Sequence, residues 1–184
     1  MVLSLLQTRR SVRRFLPQAL EPEKLQRLLE AALRAPSSRG RQPWEFILVT
    51  DRAQLIALGQ IKAHGAEFLA GAAAAVVICA DPERCDVWIE DCAIAAVLLQ
   101  LEAESLGLGS CWAQLRLRQH ADGRSAEAVA RQLLGIPPSH AVPVIVGFGY
   151  PAEKLAGHSR SSLPWGKLHS GRYGVALDKK DQSH

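Results

Sequence analysis

The sequence predicts an α+β domain of layered architecture, and three observations predict it. Its 184 residues are 48% hydrophobic and 22% charged, the balance of an ordinary globular chain with one domain's worth of core. Segments of helical period and short apolar segments of strand length are interleaved along it. Their order lacks the strict strand–helix–strand alternation of a parallel, doubly wound sheet. No internal repeat or interdomain linker breaks the chain.

The first element is a short helix over residues 2–8. Pro22 opens a stronger helix in which Leu25, Leu28, Leu29, Ala32 and Leu33 recur at 3.6-residue spacing, and Pro36 stops it. Residues 36–43 form a loop of Pro, Ser, Gly and Arg. The run Trp-Glu-Phe-Ile-Leu-Val at 44–49 suits a buried strand, with Thr50-Asp51 capping a helix behind it. Helical turns are expected at 52–59 and 62–70. A second apolar strand covers 74–80, closed by Asp81-Pro82. Residues 86–106 form the longest helix. Between Cys92 and Leu101 only Gln100 is polar, so this helix belongs in a core or at a subunit interface. Gly107 and Gly109 end it. A strand at 110–115, a helix at 122–134 and a strand at 142–146 complete the regular elements. From Tyr150 the chain is rich in Gly, Ser and Pro yet keeps Trp165 and Tyr173, the composition of an extended arm lying on another surface. Residues 175–184 read as a loosely held tail.

Charge is unevenly placed. Residues 1–41 carry nine basic and three acidic groups, a net +6, within a chain whose total is +4. An anionic partner at that end is therefore either a phosphate-bearing cofactor or a nucleic acid. The charge-free apolar stretch 68–80 is short of the roughly 18–20 residues of a membrane span. The N-terminus reaches Arg9-Arg10 before any long apolar run, unlike a secretory signal. Cys79, Cys85, Cys92 and Cys111 form no C-x-x-C pair; they read as reduced, packed thiols of a cytoplasmic protein, with no metal site.

Three segments are candidates for chemistry. In Arg9-Arg10-Ser11-Val12-Arg13-Arg14, guanidinium forks and a hydroxyl match the donors that a phosphate monoester needs; a solvated basic turn has the same composition. The loop from Ala35 to Trp44 exposes Ser hydroxyls and backbone amides suited to the polar edge of a ring or a ribityl chain, or simply connects two elements. In Leu106-Gly107-Leu108-Gly109-Ser110-Cys111-Trp112-Ala113-Gln114 the glycines follow a helix and position 112 is Trp, so the dinucleotide fingerprint fails. It fails again at Gly147-Phe148-Gly149, where position 152 is Ala. No phosphate loop, H-E-x-x-H motif or nucleophile elbow is present.

Taken in order, these segments resemble the nitroreductase family. The resemblance rests on Arg9–Phe15, on Ala35-Pro36-Ser37-Ser38 followed by Gln42-Pro43-Trp44, and on the helix at 91–106 running into Gly107–Trp112. It continues through Gly135-Ile136-Pro137, Gly147-Phe148-Gly149-Tyr150-Pro151 and the stretch from His169 to Gly174. It implies a three-layer α/β/α sandwich with a mixed sheet, an intertwined homodimer, and one domain over 1–174 whose arm at 150–174 lies on the partner subunit. It also implies an FMN-dependent oxidoreductase. Hydride would pass from NADH or NADPH to FMN and then, in ping-pong fashion, to a small-molecule electron acceptor such as a nitroaromatic or quinone.

By the same resemblance, Arg9, Arg10 and Ser11 hold the FMN phosphate with Arg160, and Arg13 lies at the pyrimidine edge. Pro36, Ser37 and Ser38 reach the flavin from the partner. Cys111, Trp112 and Ala113 line the ring, and no side chain serves as catalyst. Gly40 stands where the family usually has Asn, removing one contact. His64 and Glu67 best match an Asn and a Lys that the family places near the flavin. Gln114, Arg116 and Arg118 share a face if 110–118 is extended, where they either meet an acidic substrate or form an exposed polar edge. Two alternatives remain at this stage. One is a flavin-storing, flavin-sensing or flavin-modifying member of the same fold. The other is a nucleic-acid-binding domain using residues 9–14, against which stand the net-acidic remainder and the absence of any nucleic-acid motif.

Overall fold

The computed structural model describes residues 2–177. Its helices are α1 (Val2–Thr8), α2 (Pro22–Leu33), α3 (Arg52–Gly59), α4 (Trp88–Ser105) and α5 (Ala126–Leu134), and its strands β1 (Trp44–Val49), β2 (Ala74–Ala80), β3 (Gly109–Gln114) and β4 (Ala141–Gly149). Short 3-10 turns at Ser38–Gly40, Glu67–Gly71, Arg160–Ser162 and Trp165–Lys167 fill parts of the connections.

The strands form one sheet in the order β1-β2-β4-β3. Every ladder in it is antiparallel, which corrects the expected mixed sheet. The reason is topological. α4 carries the chain from β2 to β3, and these two strands do run the same way, as a helical crossover demands. β4 then returns between them, so neither has a parallel neighbour. The one parallel pairing among the described residues is the isolated bridge of Ser11 with Ser110.

Both faces of the sheet are covered, giving the three layers. Ala74, Val76, Ile78 and Ala80 of β2 pack with Leu28 and Ala32 of α2 and Cys92, Ala96 and Leu99 of α4. The alternate residues Ala75, Val77 and Cys79 pack with Leu55 and Leu58 of α3 and Ala130 of α5. Two-sided coverage is why β2 is a continuous apolar run rather than an alternating one. β1, an edge strand, is half-covered, with Glu45 exposed. β4 extends well beyond 142–146 because it is paired on both sides.

Asp51 caps α3 as expected, accepting from the Gln54 amide at 2.9 Å. Residues 62–65 are bends, and only the Glu67–Gly71 turn of the expected 62–70 helix forms. Ion pairing of Arg27 with Glu102 at 2.7 Å joins α2 to α4. The outer side of α4 leaves Ile94 and Val97 40% and 45% exposed. Residues 150–157 run back along the N-terminal segment: Leu16 donates to the Tyr150 carbonyl, Ala152 to that of Arg14, and Arg10 to that of Ala156. Residues 175–177 turn back on 169–170. The remainder of the expected tail, 178–184, lies outside the described residues.

Candidate functional site

The segment after α1 is fastened to the open edge of β3. Val12 is buried and its amide donates to the Ser110 carbonyl at 3.0 Å. A Cβ on Gly109 would lie 2.8 Å from Val12, so glycine there lets the two backbones meet. Ser110 turns its carbonyl outward to Val12, and strand alternation turns the N–H and C=O of Trp112 outward as well. Cys111 Sγ donates to the Trp112 carbonyl at 3.8 Å, and Ser11, Arg13 and Lys62 lie close enough to act on the thiol. Burial nevertheless pushes the Cys111 thiol up. A neutral thiol is a poor nucleophile, so Cys111 is packing beside the site. Ala113 is fully buried. Trp112 donates through Nε1 to Gln114 Oε1 at 3.0 Å.

Ser11, Arg13, Cys111, Trp112 and Ala113 thus share one region. Arg9 is half-buried where α1 ends, its amide donating to the Leu5 carbonyl. Arg10 reaches into the arm and, with Thr8, Val12, Glu104 and Gly107, lines a cavity of about 350 Å³. Arg160 stacks on Trp165 at 5.0 Å and, with His158 of the arm, lines a second cavity of about 420 Å³ against Leu3 and Leu6 of α1.

Pro36, Ser37, Ser38 and Gly40 are elsewhere. Ser37 Oγ accepts from the Gln42 amide at 2.9 Å, and the Ser38 amide donates to Asp91 Oδ1 at 3.0 Å. Asp91, only 3% exposed, also accepts from Cys85 Sγ at 3.4 Å. Arg39 and Gln42 hold φ of 53° and 47°, and Gly40 65°. Two non-glycine residues in the left-handed region are a strained arrangement worth about 1–3 kcal/mol each, of the kind that concentrates at functional loops. Gly40 is legible in the same terms: Gly and Asn are the residues that take this conformation readily, so the loop keeps its backbone and loses only a side chain. This loop sits at the N-terminal end of α4, whereas Arg10 and Val12 sit at its C-terminal end. From Asp91 to Glu104 the helix rises about 20 Å, so the two halves of the expected site do not converge within one chain.

Two residues were passed over in the sequence. One is Asp91, the buried support of Ser38. The other is Lys62, the only lysine between Lys24 and Lys154 in a chain that otherwise uses arginine there. Lys62 is half-buried; burial, then the nearby Arg118, lowers its pKa. Its Nζ lies over the Gly65 turn, 3.6 Å from where a Cβ would be. Glu67 instead binds its own turn, accepting from the Gly65 amide at 2.8 Å, and Lys62 adds to the effect of Arg13 on Cys111. Gln114, Arg116 and Arg118 do not share an extended face. β3 stops at Gln114, and Arg118 closes a turn onto the Leu115 carbonyl at 2.9 Å. Among the described residues no cluster of metal-ligating side chains forms, and no helix is long and apolar enough to cross a membrane.

Comparison with known proteins covers nearly the whole chain. The model of the nitroreductase family matches residues 6–81 and 52–150. A curated protein of Archaeoglobus fulgidus named as an NADH dehydrogenase/NAD(P)H nitroreductase is 36% identical over 156 residues, spanning 83% of this chain and 86% of its own. The solved FMN-dependent nitroreductase of Clostridium difficile superposes with a TM-score of 0.91 at 43% identity, over 93% of this chain and 99% of that one. A solved Bacteroides thetaiotaomicron protein, named like the Archaeoglobus relative, gives 0.84 at 32% identity, over 94% and 98%.

Proposed function

Since the chain belongs to the nitroreductase family, we propose that it is an FMN-dependent oxidoreductase carrying electrons from NAD(P)H to a small acceptor. The observation that carries this reading is the Arg9–Arg13 segment fastened to β3, which sets guanidinium and hydroxyl donors beside the outward amide of Trp112. That donor set fits a phosphorylated flavin: cations for the phosphate, strand backbone for the ring. The relatives named above as an FMN-dependent nitroreductase and an NAD(P)H nitroreductase support the same pair of cofactors.

When bound, FMN supplies the hydride chemistry. The chain's own residues bind and orient. Arg9, Arg10, Ser11 and Arg160 would hold the phosphate by charge-assisted hydrogen bonds. Arg13 would serve the pyrimidine edge and the Trp112 amide the ring, while neutral Cys111 and Ala113 would exclude water behind it. No side-chain acid–base pair is required, and donor and acceptor use one space in turn, which gives ping-pong kinetics with nitroaromatics or quinones.

The working unit in this reading is a homodimer of domains spanning 1–174. Two observations support it: the uncovered Ile94 and Val97 on α4, and the placement of the two half-sites at opposite ends of that helix. A two-fold axis across α4 carries Pro36, Ser37 and Ser38 of one protomer to the other's Arg9–Arg13 segment, with the 150–174 arm laid on the partner. Four buried, unpaired thiols suit a reducing cytoplasm.

The test is the absorbance spectrum of the purified protein, then anaerobic addition of NADH and of NADPH. Flavin bands that bleach with one nucleotide are expected, and joint Arg9→Ala and Arg10→Ala substitution should empty the protein of FMN. A colourless protein that takes up no added FMN, or a double variant with full flavin content, would sink the assignment.

A further inference from the structure

A cavity of about 600 Å³ includes Lys62, His64, Leu117, Arg118 and Gln119 among its lining residues. Its two walls are pinned together, the Ala63 amide donating to the Gln119 carbonyl at 3.0 Å. Arg118 is fixed by its backbone, accepting from the Ala126 amide at 2.9 Å and donating to Leu115. Between them Leu117 holds a φ of 59° with 76% of its surface exposed. An exposed leucine in the left-handed region serves no core. It strains the turn and lays an apolar face beside two cations.

The carboxylate that acts on Lys62, Glu67, does so without forming an ion pair with it. Asp122 is taken by His120 at 2.9 Å and Arg124 at 2.7 Å. Glu67 lies near Lys62 and His64 but is bound to the Gly65 amide. Neither Lys62 nor Arg118 forms an ion pair among the described residues. The fold therefore holds a half-buried ammonium near a guanidinium, an arrangement that an anion between them relieves. Lys62 also lies within electrostatic reach of Cys111, as Arg13 does, which puts one wall of the cavity on the side of the proposed flavin site.

We propose that this cavity binds the anionic group of a small planar ligand that reacts at the adjoining flavin, with Lys62 and Arg118 as its cationic contacts and Leu117 as the platform for its apolar part. The inference rests on the flavoenzyme reading and adds a substrate class to it: an aromatic acid rather than a neutral nitroaromatic or quinone. A carboxylate on the acceptor and the 2′-phosphate of NADPH share the required chemistry, and the experiment separates them.

On the flavin-loaded protein, KM is measured for 4-nitrobenzoate and its methyl ester, and for NADPH and NADH. Binding of benzoate, which accepts no electrons, is followed by calorimetry. The acid is expected to have a KM about tenfold below that of the ester, the size of one charge-assisted contact. Arg118→Gln and Lys62→Met should each collapse that ratio and weaken benzoate binding, while Arg118→Lys retains part of both. If the ratio lost is NADPH against NADH, the site serves the donor's phosphate; if it is acid against ester, it serves the acceptor. Ratios near one for both pairs in the unsubstituted protein, or unaltered ratios in Arg118→Gln, overturn the inference. Failure to take up FMN would instead overturn the flavoenzyme reading, and calorimetry on the flavin-free protein would still decide whether benzoate binds at Lys62 and Arg118.

Discussion

The central strands and the C-terminal arm both carry apolar side chains, and they use them in opposite ways. Every residue of β2 is buried, as is every residue of β4 after its first. From 152 to 176 only Glu153 and Trp165 are even half-covered, while Leu163, Leu168 and Tyr173 are 44%, 44% and 94% exposed. One region is completed by its own chain. The other, like the outer side of α4 with Ile94 and Val97, is apolar surface that this chain leaves open. Stability therefore resides in the sheet, and the proposed dimer would draw on the arm and on α4.

The sharpest way to break that division is to cut side chains from both regions. Phe148 has no exposed surface and packs on the α2 and α4 side. Phe148→Ala is expected to cost about 3–5 kcal/mol in urea unfolding, through lost transfer energy and an unfilled cavity. Tyr173→Ala should move the same midpoint by about 0.5 kcal/mol or less in dilute protein. Equal costs would mean that the arm is as much core as β4 is.

Removing residues 152–184 tests the arm's proposed role. The truncated chain should keep its far-ultraviolet circular dichroism, sediment as a monomer at micromolar concentration, and lose FMN with Arg160. A truncated protein that stays dimeric and flavin-loaded would reassign both functions to α4 and to the first 41 residues.

A smaller effect is expected where the two regions touch through the N-terminal segment. Gly109→Ala places a methyl group 2.8 Å from Val12, so either β3 or the Arg9–Arg13 segment must move. The substitution should cost about 1–3 kcal/mol as overpacking and weaken FMN binding in a fluorescence titration. Tight FMN binding by the variant would show that the Ser11–Ser110 bridge is not what positions the phosphate donors.

The sequence made the completed region legible and the open one only partly so. Apolar runs bounded by turn residues located β2 at its true ends, and Asp51 announced α3, because those signals are local. Ser110 meeting Ser11, Ser38 donating to Asp91 and Lys62 acting on Cys111 are not local: each joins segments brought together by the order of the sheet. For the same reason β1 read as buried, since nothing within Trp44–Val49 says that β1 itself has a neighbour on one side only. The mixed sheet failed likewise, because β4's insertion between β2 and β3 leaves no mark on either strand. Leu117 was illegible for another reason. Its conformation breaks the residue preference for the left-handed region, so propensity pointed away from the turn that separates Arg116 from Arg118.

The smallest expected effect lies in the buried thiols. Burial holds Cys79 up to about 11 and Cys92 to about 12, whereas in the unfolded chain both titrate near 8.5. A raised folded value favours the neutral thiol, so its contribution is complete below the unfolded value and is lost as pH rises toward the folded one. Above about pH 8.5 the unfolded state binds fewer protons than the folded state, and stability falls with pH. Thermal melts at pH 8 and pH 10.5 should show that fall, and Cys79→Ala with Cys92→Ala should flatten it while lowering the pH 8 midpoint through lost packing. At pH 8 the native thiols should resist iodoacetamide, with Cys111 among the protected ones despite Arg13 and Lys62 nearby. Rapid labelling of Cys111 alone would mean that those cations outweigh its burial, and that the thiol beside the proposed flavin site is reactive.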